Sequence, residues 1–216
     1  NRPWGRRIAA VASYAPLGEE PIPQGSVAAV TEQHEFLQLD EAARSAAIPA
    51  GSHAINTSNI LPKAYSLTAK AGATLQFASD AVLIVHGALQ VEGRAEEPVV
   101  FEGVDAGRWP GLVVLNAPVR SQVDYLTVRD TSSVVMDNWT LTGGVNFYAS
   151  DVTILNSRFE DSHGEDALSI MRSEFEIVGS VMHGTASDAF DSDFSTGSVV
   201  GSEFIDVGRA GGGDAV

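Results

Sequence analysis

The sequence predicts an all-β solenoid: a single-stranded right-handed parallel β-helix of about seven or eight coils behind a non-repeating N-terminal segment. Three observations predict it. The last third of the chain repeats itself at intervals of 22 and 23 residues. The repeats hold short runs of alternating apolar residues and no helical pattern. Gly, Ser, Asp and Asn punctuate these runs as turns.

The repeats are "VTILNSRFEDSHGEDALSI" from Val152, "FEIVGSVMHGTASDAFDSDF" from Phe175 and "VVGSEFIDVGRAGGGDAV" from Val199. Ser157, Ser180 and Ser202 align, as do Phe159, Met182 and Phe204. The Asp-Ala pairs at Asp166, Asp188 and Asp214 also align, the last displaced by the inserted "RAGGG". Val152 and Ile154, then Leu168 and Ile170, alternate as strand residues do. A repeat this short closes no core alone, so successive repeats must stack. One turn is roughly 70 Å of chain at ~3.3 Å per residue, enough for a flattened triangular coil.

The first half fits the same plan less regularly. Ala50-Gly51 and Ala71-Gly72 are matching turns, and "AVLIVHGALQVEG", "PVVFEG", "WPGLVVL" and "VDYLTV" read as strands. The solenoid is therefore assigned to residues 46–216, and residues 1–45 to a cap or the end of a preceding domain. "EFLQLDEAARSAA" is expected to form a short helix, and a helix or loop over the first coil would cover its open edge. Asn1 and Val216 read as the ends of a piece of a longer protein. The basic residues and short apolar patch near Asn1 do not make a visible signal sequence.

Composition narrows the function classes. The chain has 216 residues, 28 of them acidic and 13 basic, for a net charge of −15. From Asp151 onward there are 13 acidic and 3 basic residues, so −10 of that charge lies there. Such a surface repels phosphate backbones and argues against nucleic-acid binding. There are no cysteines, hence no disulfides, thiolate metal sites or thiol nucleophiles. No apolar run is long enough to span a membrane.

One stretch carries a resemblance. "LQVEGRAEEPVVFEGVDAGRWPGLVVLNA" resembles the early rungs of right-handed parallel β-helix proteins of the pectate-lyase-like group, where a Pro-Ile-x-Phe run precedes a Trp-x-Gly-Ile rung. The later rungs look like those of large bacterial surface proteins, some of which also carry a CotH kinase-like domain. The resemblance implies an extracellular or cell-surface setting and partners that are polysaccharides or other surface-protein domains. It does not imply one activity: the superfamily holds lyases, hydrolases, epimerases, phage tailspikes and inert stalks.

The candidate site is "DAFDSDF", residues 188–194. Strand alternation places Phe190 and Phe194 inward, with Asp191 and Asp193 outward beside Ala189. Asp166, Asp188 and Asp214 form either a turn ladder accepting backbone hydrogen bonds or part of a cation site. Asp191 and Asp193 are either a solvated acidic face or a site: outward carboxylates two residues apart, ~6.5–7 Å at Cα, suit Ca²⁺ or an inverting acid/base pair. Asp188, Asp191 and Asp193 are therefore the candidate Ca²⁺ ligands. The catalytic candidates are Asp191, Asp193, Arg172 and His183, with Arg172 also a candidate ion-pair partner of Glu174. β-Helix lyases typically use Arg or Lys to take the proton alpha to a uronate carboxyl. His163 and Ser169 are candidate substrate contacts; His163 and His183, in turns one coil apart, are either exposed turn histidines without a role or a stacked pair acting as acid/base or metal ligands. Trp109, Trp139, Phe147 and Tyr148 are either sugar-stacking or core residues. The polygalacturonase Asn-Thr-Asp, Asp-Asp and Gly-His-Gly pattern is absent. Two functions follow: a carbohydrate-interacting protein, as a calcium-assisted lyase or epimerase of acidic polysaccharide, or a structural or adhesive module of a larger surface protein.

Overall fold

The structure is a computed structural model that describes residues 23–136 and 139–215. The chain is a parallel β-solenoid of about 7 turns, 53% strand and 5% helix. Three parallel sheets form its faces. The first runs from Ser45–Ile48 through Ser66–Lys70, Leu89–Glu92, Ser121–Asp124, Val152–Leu155 and Glu174–Val178 to Thr196–Val200. The second begins at Gly51–Ile55 and ends at Glu203–Ile205. The third begins at Asn59–Ile60 and ends at Asp188–Asp193.

Stacking in register follows the sequence repeat. Phe159 pairs with Met182, and Met182 with Phe204. Inward residues fill one continuous core, in which Phe77 lies flat on Trp109 at 3.9 Å and edge-on to Phe101. Trp109 is fully buried at a corner, its indole N–H donating to the Arg129 carbonyl at 2.8 Å. Gly111 follows with φ +129°, where a Cβ would lie 2.0 Å from the Gly144 carbonyl oxygen. The Trp-Pro-Gly rung thus places an aromatic core residue beside a backbone contact that only glycine permits.

The corners explain the repeated serines. A residue with positive φ turns the chain, and the next residue is often Ser: Ala149 before Ser150, Asn156 before Ser157, Arg172 before Ser173, Gly179 before Ser180. Each hydroxyl donates to the carbonyl two residues back, as Ser157 does to Leu155 at 2.7 Å. Each also accepts a backbone N–H from the coil before. Ser157 N–H donates to the Ser180 hydroxyl at 3.2 Å, and Ser180 N–H to that of Ser202 at 3.1 Å. A second ladder joins Ala117, Ser150, Ser173 and Ser195. These N–H groups lie at bends, where sheet pairing cannot satisfy them, so the side chain does.

Between Leu126–Arg129 and Gly143–Tyr148 the chain makes an excursion, an antiparallel hairpin of Val134–Met136 with Trp139–Leu141. It packs on outward residues of the third sheet, Val82, Ile84, Val113 and Leu115, to form a second small core. This insertion lengthens the coil step, so Ser121 pairs with Val152.

The N-terminal segment departs from expectation. The helix is Val27–Gln33, not the "EFLQLDEAARSAA" stretch. That stretch forms two strands, Gln38–Asp40 paired antiparallel with Ser45–Ile48, because the exposed edge of the first sheet supplies partners that an isolated helix would lack. Val30 and Leu37 join the main core, so a cap does cover the first coil.

Replacing Ser180 by Ala leaves the buried Ser157 N–H without an acceptor. The expected loss is about 1–3 kcal/mol, at about 2–4 °C of Tm per kcal/mol for a chain of this size. Exposed Ser198→Ala is the control, expected within about 0.5 kcal/mol of wild type. Equal denaturation midpoints for the two variants would remove the ladders from the stability account.

Candidate functional site

One outward column of the third sheet changes character along the solenoid. In register it reads Ile84, Val113, Asn146, Ser169, Asp191. The hairpin covers the apolar end; of the polar end, Asn146 and Ser169 are buried and Asp191 is partly exposed. Asn146 is buried and closes a local loop: its amide donates to the Gly143 carbonyl at 2.6 Å and accepts the Gly143 N–H at 3.2 Å. Ser169 and Asp191 then sit side by side on the outer face. A neighbouring column reads Leu115, Tyr148, Met171, Asp193.

Asp166 and Asp188 lie beside each other at the start of these strands. Strict alternation would turn Ala167 and Ala189 outward, but both are buried in the main core. The alternation breaks at the corner, and the two Asp carboxyls come within range of Asp191. Asp166 is 3% exposed and accepts a hydrogen bond from the Thr142 side chain. Burial, with the charges of Asp191, Glu165 and Asp188, pushes its carboxyl up to about 6. Burial and the Asp193 and Asp188 charges also raise Asp191. Asp188 accepts the Asp214 backbone N–H at 2.8 Å, so this column is partly the expected turn ladder.

The other sequence candidates separate. Phe194 is not a core residue: it occupies a corner at φ +53° and is 74% exposed, because the strand ends one residue earlier. The Arg172 guanidinium lies over its ring at 5.7 Å. Glu174, the expected partner of Arg172, bonds Arg120 at 3.2 Å. His183 belongs to the second sheet, stacked between Glu160 and Ile205, and is not level with His163. His163 occupies a longer turn, its N–H bonded to the Thr131 carbonyl. The two do not stack because the turn before the third sheet changes length between coils. Trp109 and Phe147 are core residues, and Trp139 and Tyr148 pack in the second core.

Among the described residues no group of three or more His, Asp or Glu side chains is arranged to hold a metal ion.

A second constellation, not singled out from the sequence, lies at the corner after the second sheet. Asp130, Asp161 and Asp206 turn this corner with positive φ. Gly184 takes the place between the last two, and a Cβ there would meet the Asp161 carboxylate at 2.6 Å. Arg209, from the inserted "RAGGG", bridges the gap, bonding Asp161 at 2.9 Å and Asp206 at 2.8 Å. Beside this corner, a cleft of about 210 Å³ is lined by Gln76, Glu102, Asp105, Arg129 and Asp130. Burial raises Asp130, helped by Asp161 and opposed by Arg129 and His163. Burial and the Arg108 charge lower His163. The signal was present in "FED" and "FID", where Asp follows the aligned aromatic at the same distance.

No protein-family model matches the chain, and neither a curated protein nor a solved structure matches it. Among the described residues no helix is long and apolar enough to cross a membrane.

The raised Asp166 carboxyl has a stability consequence. Its folded value of about 6 lies above the ordinary value near 3.8. The folded chain therefore holds a proton that the unfolded chain has lost, and stability falls as pH rises through that window. Asp166→Asn is expected to flatten this slope and to stabilise the protein at pH 7 by roughly 2–3 kcal/mol. Urea denaturation at pH 4 and pH 7 checks it; a variant less stable than wild type at pH 7 would contradict the assignment.

Proposed function

We propose that the chain is a carbohydrate-interacting solenoid whose sugar-binding surface is the polar end of the third sheet's outer face. The observation that carries this reading is the gathering of Asp166, Asp188 and Asp191, in which the charges of Asp188 and Asp191 help raise Asp166, and those of Asp193 and Asp188 help raise Asp191. A buried carboxyl held near 6 costs stability, and such costs cluster at functional sites. A plain spacer has no use for it. Asp191, partly exposed and raised, is the proton-transfer group of this reading, with the buried Ser169 stacked beside it. Exposed Phe194 at the strand's end offers a face for stacking on a sugar ring.

The charge pattern favours a neutral or amino-bearing polysaccharide over a uronate polymer. An anionic chain would meet the carboxylates of Asp166, Asp188, Asp191 and Asp193 and would need a bound cation to neutralise them. The rung pattern that resembles pectate-lyase-like proteins supports a polysaccharide ligand and an extracellular setting; a link to CotH-type surface proteins remains part of the proposal.

A second reading is a structural module. The serine ladders and the Asp188–Asp214 bond favour it, since both serve stacking.

The test is binding and reducing-end release on a neutral glucan, a deacetylated chitin, and polygalacturonate with and without Ca²⁺. Wild type is expected to bind one of the first two, and Asp191→Asn to lose about tenfold in affinity, the worth of one charge-assisted hydrogen bond. Binding of polygalacturonate only with Ca²⁺ would restore the calcium-assisted lyase or epimerase. Binding to none would leave the structural module.

A further inference from the structure

The cap over the first coil contains a group that the proposed function does not use. His34 closes the helix Val27–Gln33, its N–H bonded to the Val30 carbonyl at 2.9 Å. The residue is 2% exposed. Neither ring nitrogen has a hydrogen-bond partner of sound geometry. The Ser58 backbone lies near enough to favour the charged ring, but burial outweighs it and holds the imidazole below its ordinary value. Next to Ser58, Asn59 is fully buried, and both polar atoms of its amide also lack partners. Buried polar groups are satisfied almost everywhere in folded proteins, so two such side chains at one interface call for an explanation.

Among the described residues the surroundings give no counter-charge. On the cap itself, Glu32 and Glu35 are exposed, and neither acts on the His34 ring. The first strand of the third sheet brings the neutral Asn59. On the next coil, Ser58 meets Asp80 through its carbonyl, not its carboxylate. The ring nearest His34 is Phe36, edge-on at 6.1 Å.

Two more histidines hold the same cap. His53 stacks on Phe36 at 4.4 Å and 17°. A ring nitrogen of His86 lies 2.9 Å from the Pro23 carbonyl. Three of the five histidines of the chain thus sit where the cap meets the solenoid. The fit is close: a Cβ on Gly25 would lie 1.6 Å from the Ile60 carbonyl oxygen. Small displacements are not absorbed by such a contact, so the cap is either docked or released.

We infer that the cap is a pH-dependent element: protonation of His34 expels its ring from the interface, releases the helix Val27–Gln33, and uncovers the first strands of the second and third sheets. Those strands, Gly51–Ile55 and Asn59–Ile60, are the ends of their sheets and carry unpaired backbone edges. Histidine suits the role because its charge changes between pH 5 and 8. The sign follows from burial. A histidine held neutral in the folded state supports docking above its ordinary range and opposes it as pH falls below.

Hydrogen exchange at pH 7.5 and pH 5.0, corrected for the intrinsic rates, tests this on residues 26–37 and 51–61. Wild type is expected to lose about tenfold or more of its protection there on acidification, while residues 152–183 stay protected. His34→Leu is expected to keep its protection at both values. An equal loss in His34→Leu, or a loss abolished by His86→Gln but not by His34→Leu, would overturn the assignment. Because His34→Leu can also disturb packing, ring titration of the wild type by NMR gives an independent readout. A His34 midpoint below the ordinary histidine range supports the switch; one at or above that range refutes it.

Discussion

Every corner of this solenoid presents backbone N–H groups to the coil beside it, and a side chain must accept those that strand pairing leaves over. The serine ladders do this at two of the three corners. A hydroxyl is short enough to fit the bend, and it both donates and accepts. It therefore ties its own turn together through the carbonyl two residues back and ties its turn to the preceding coil. Once the corners are locked, the strands between them have one register. Inward residues then stack as a continuous core, and outward residues stack as columns.

That constraint has a price in electrostatics. In a parallel stack, whatever occupies one coil position sits about 4.8 Å from its counterparts. Acidic residues at matching positions are thus forced together. The chain handles this differently at different places. At the second-sheet corner, glycine replaces one member of the Asp column, and Arg209 reaches across to join the carboxylates on either side. At Asp188 a backbone N–H takes the charge. At Asp166 and Asp191 burial and the neighbouring carboxylates raise the carboxyls instead. The raised carboxyls are what distinguish this face from a merely solvated one.

The hairpin excursion fixes where that face begins. Without it, the outward apolar residues Val82, Ile84, Val113 and Leu115 would lie bare on the third sheet. By covering them it also stands as a wall at one end of the polar surface. The cap plays a corresponding part at the first coil, where Val30 and Leu37 close the core. Core, wall and cap are all answers to the same requirement: a solenoid buries its interior only where something lies on every side.

The sequence by itself determined the solenoid, because in-register stacking demands like residues at like positions and so writes itself as a repeat. The alignments of Ser157 with Ser180, and of Asp166 with Asp188, were legible for that reason. Alternation correctly turned Asp191 outward but failed for Ala167, Ala189 and Phe194, which lie at corners where the period of two no longer holds. His163 and His183 parted because turns of different length shift residues that look equivalent along the chain. The cap helix was misplaced because an open sheet edge captured the stretch that looked helical. Only the tertiary structure decided which carboxyls meet, since the charge on a side chain is local but its pKa belongs to the coils above and below it.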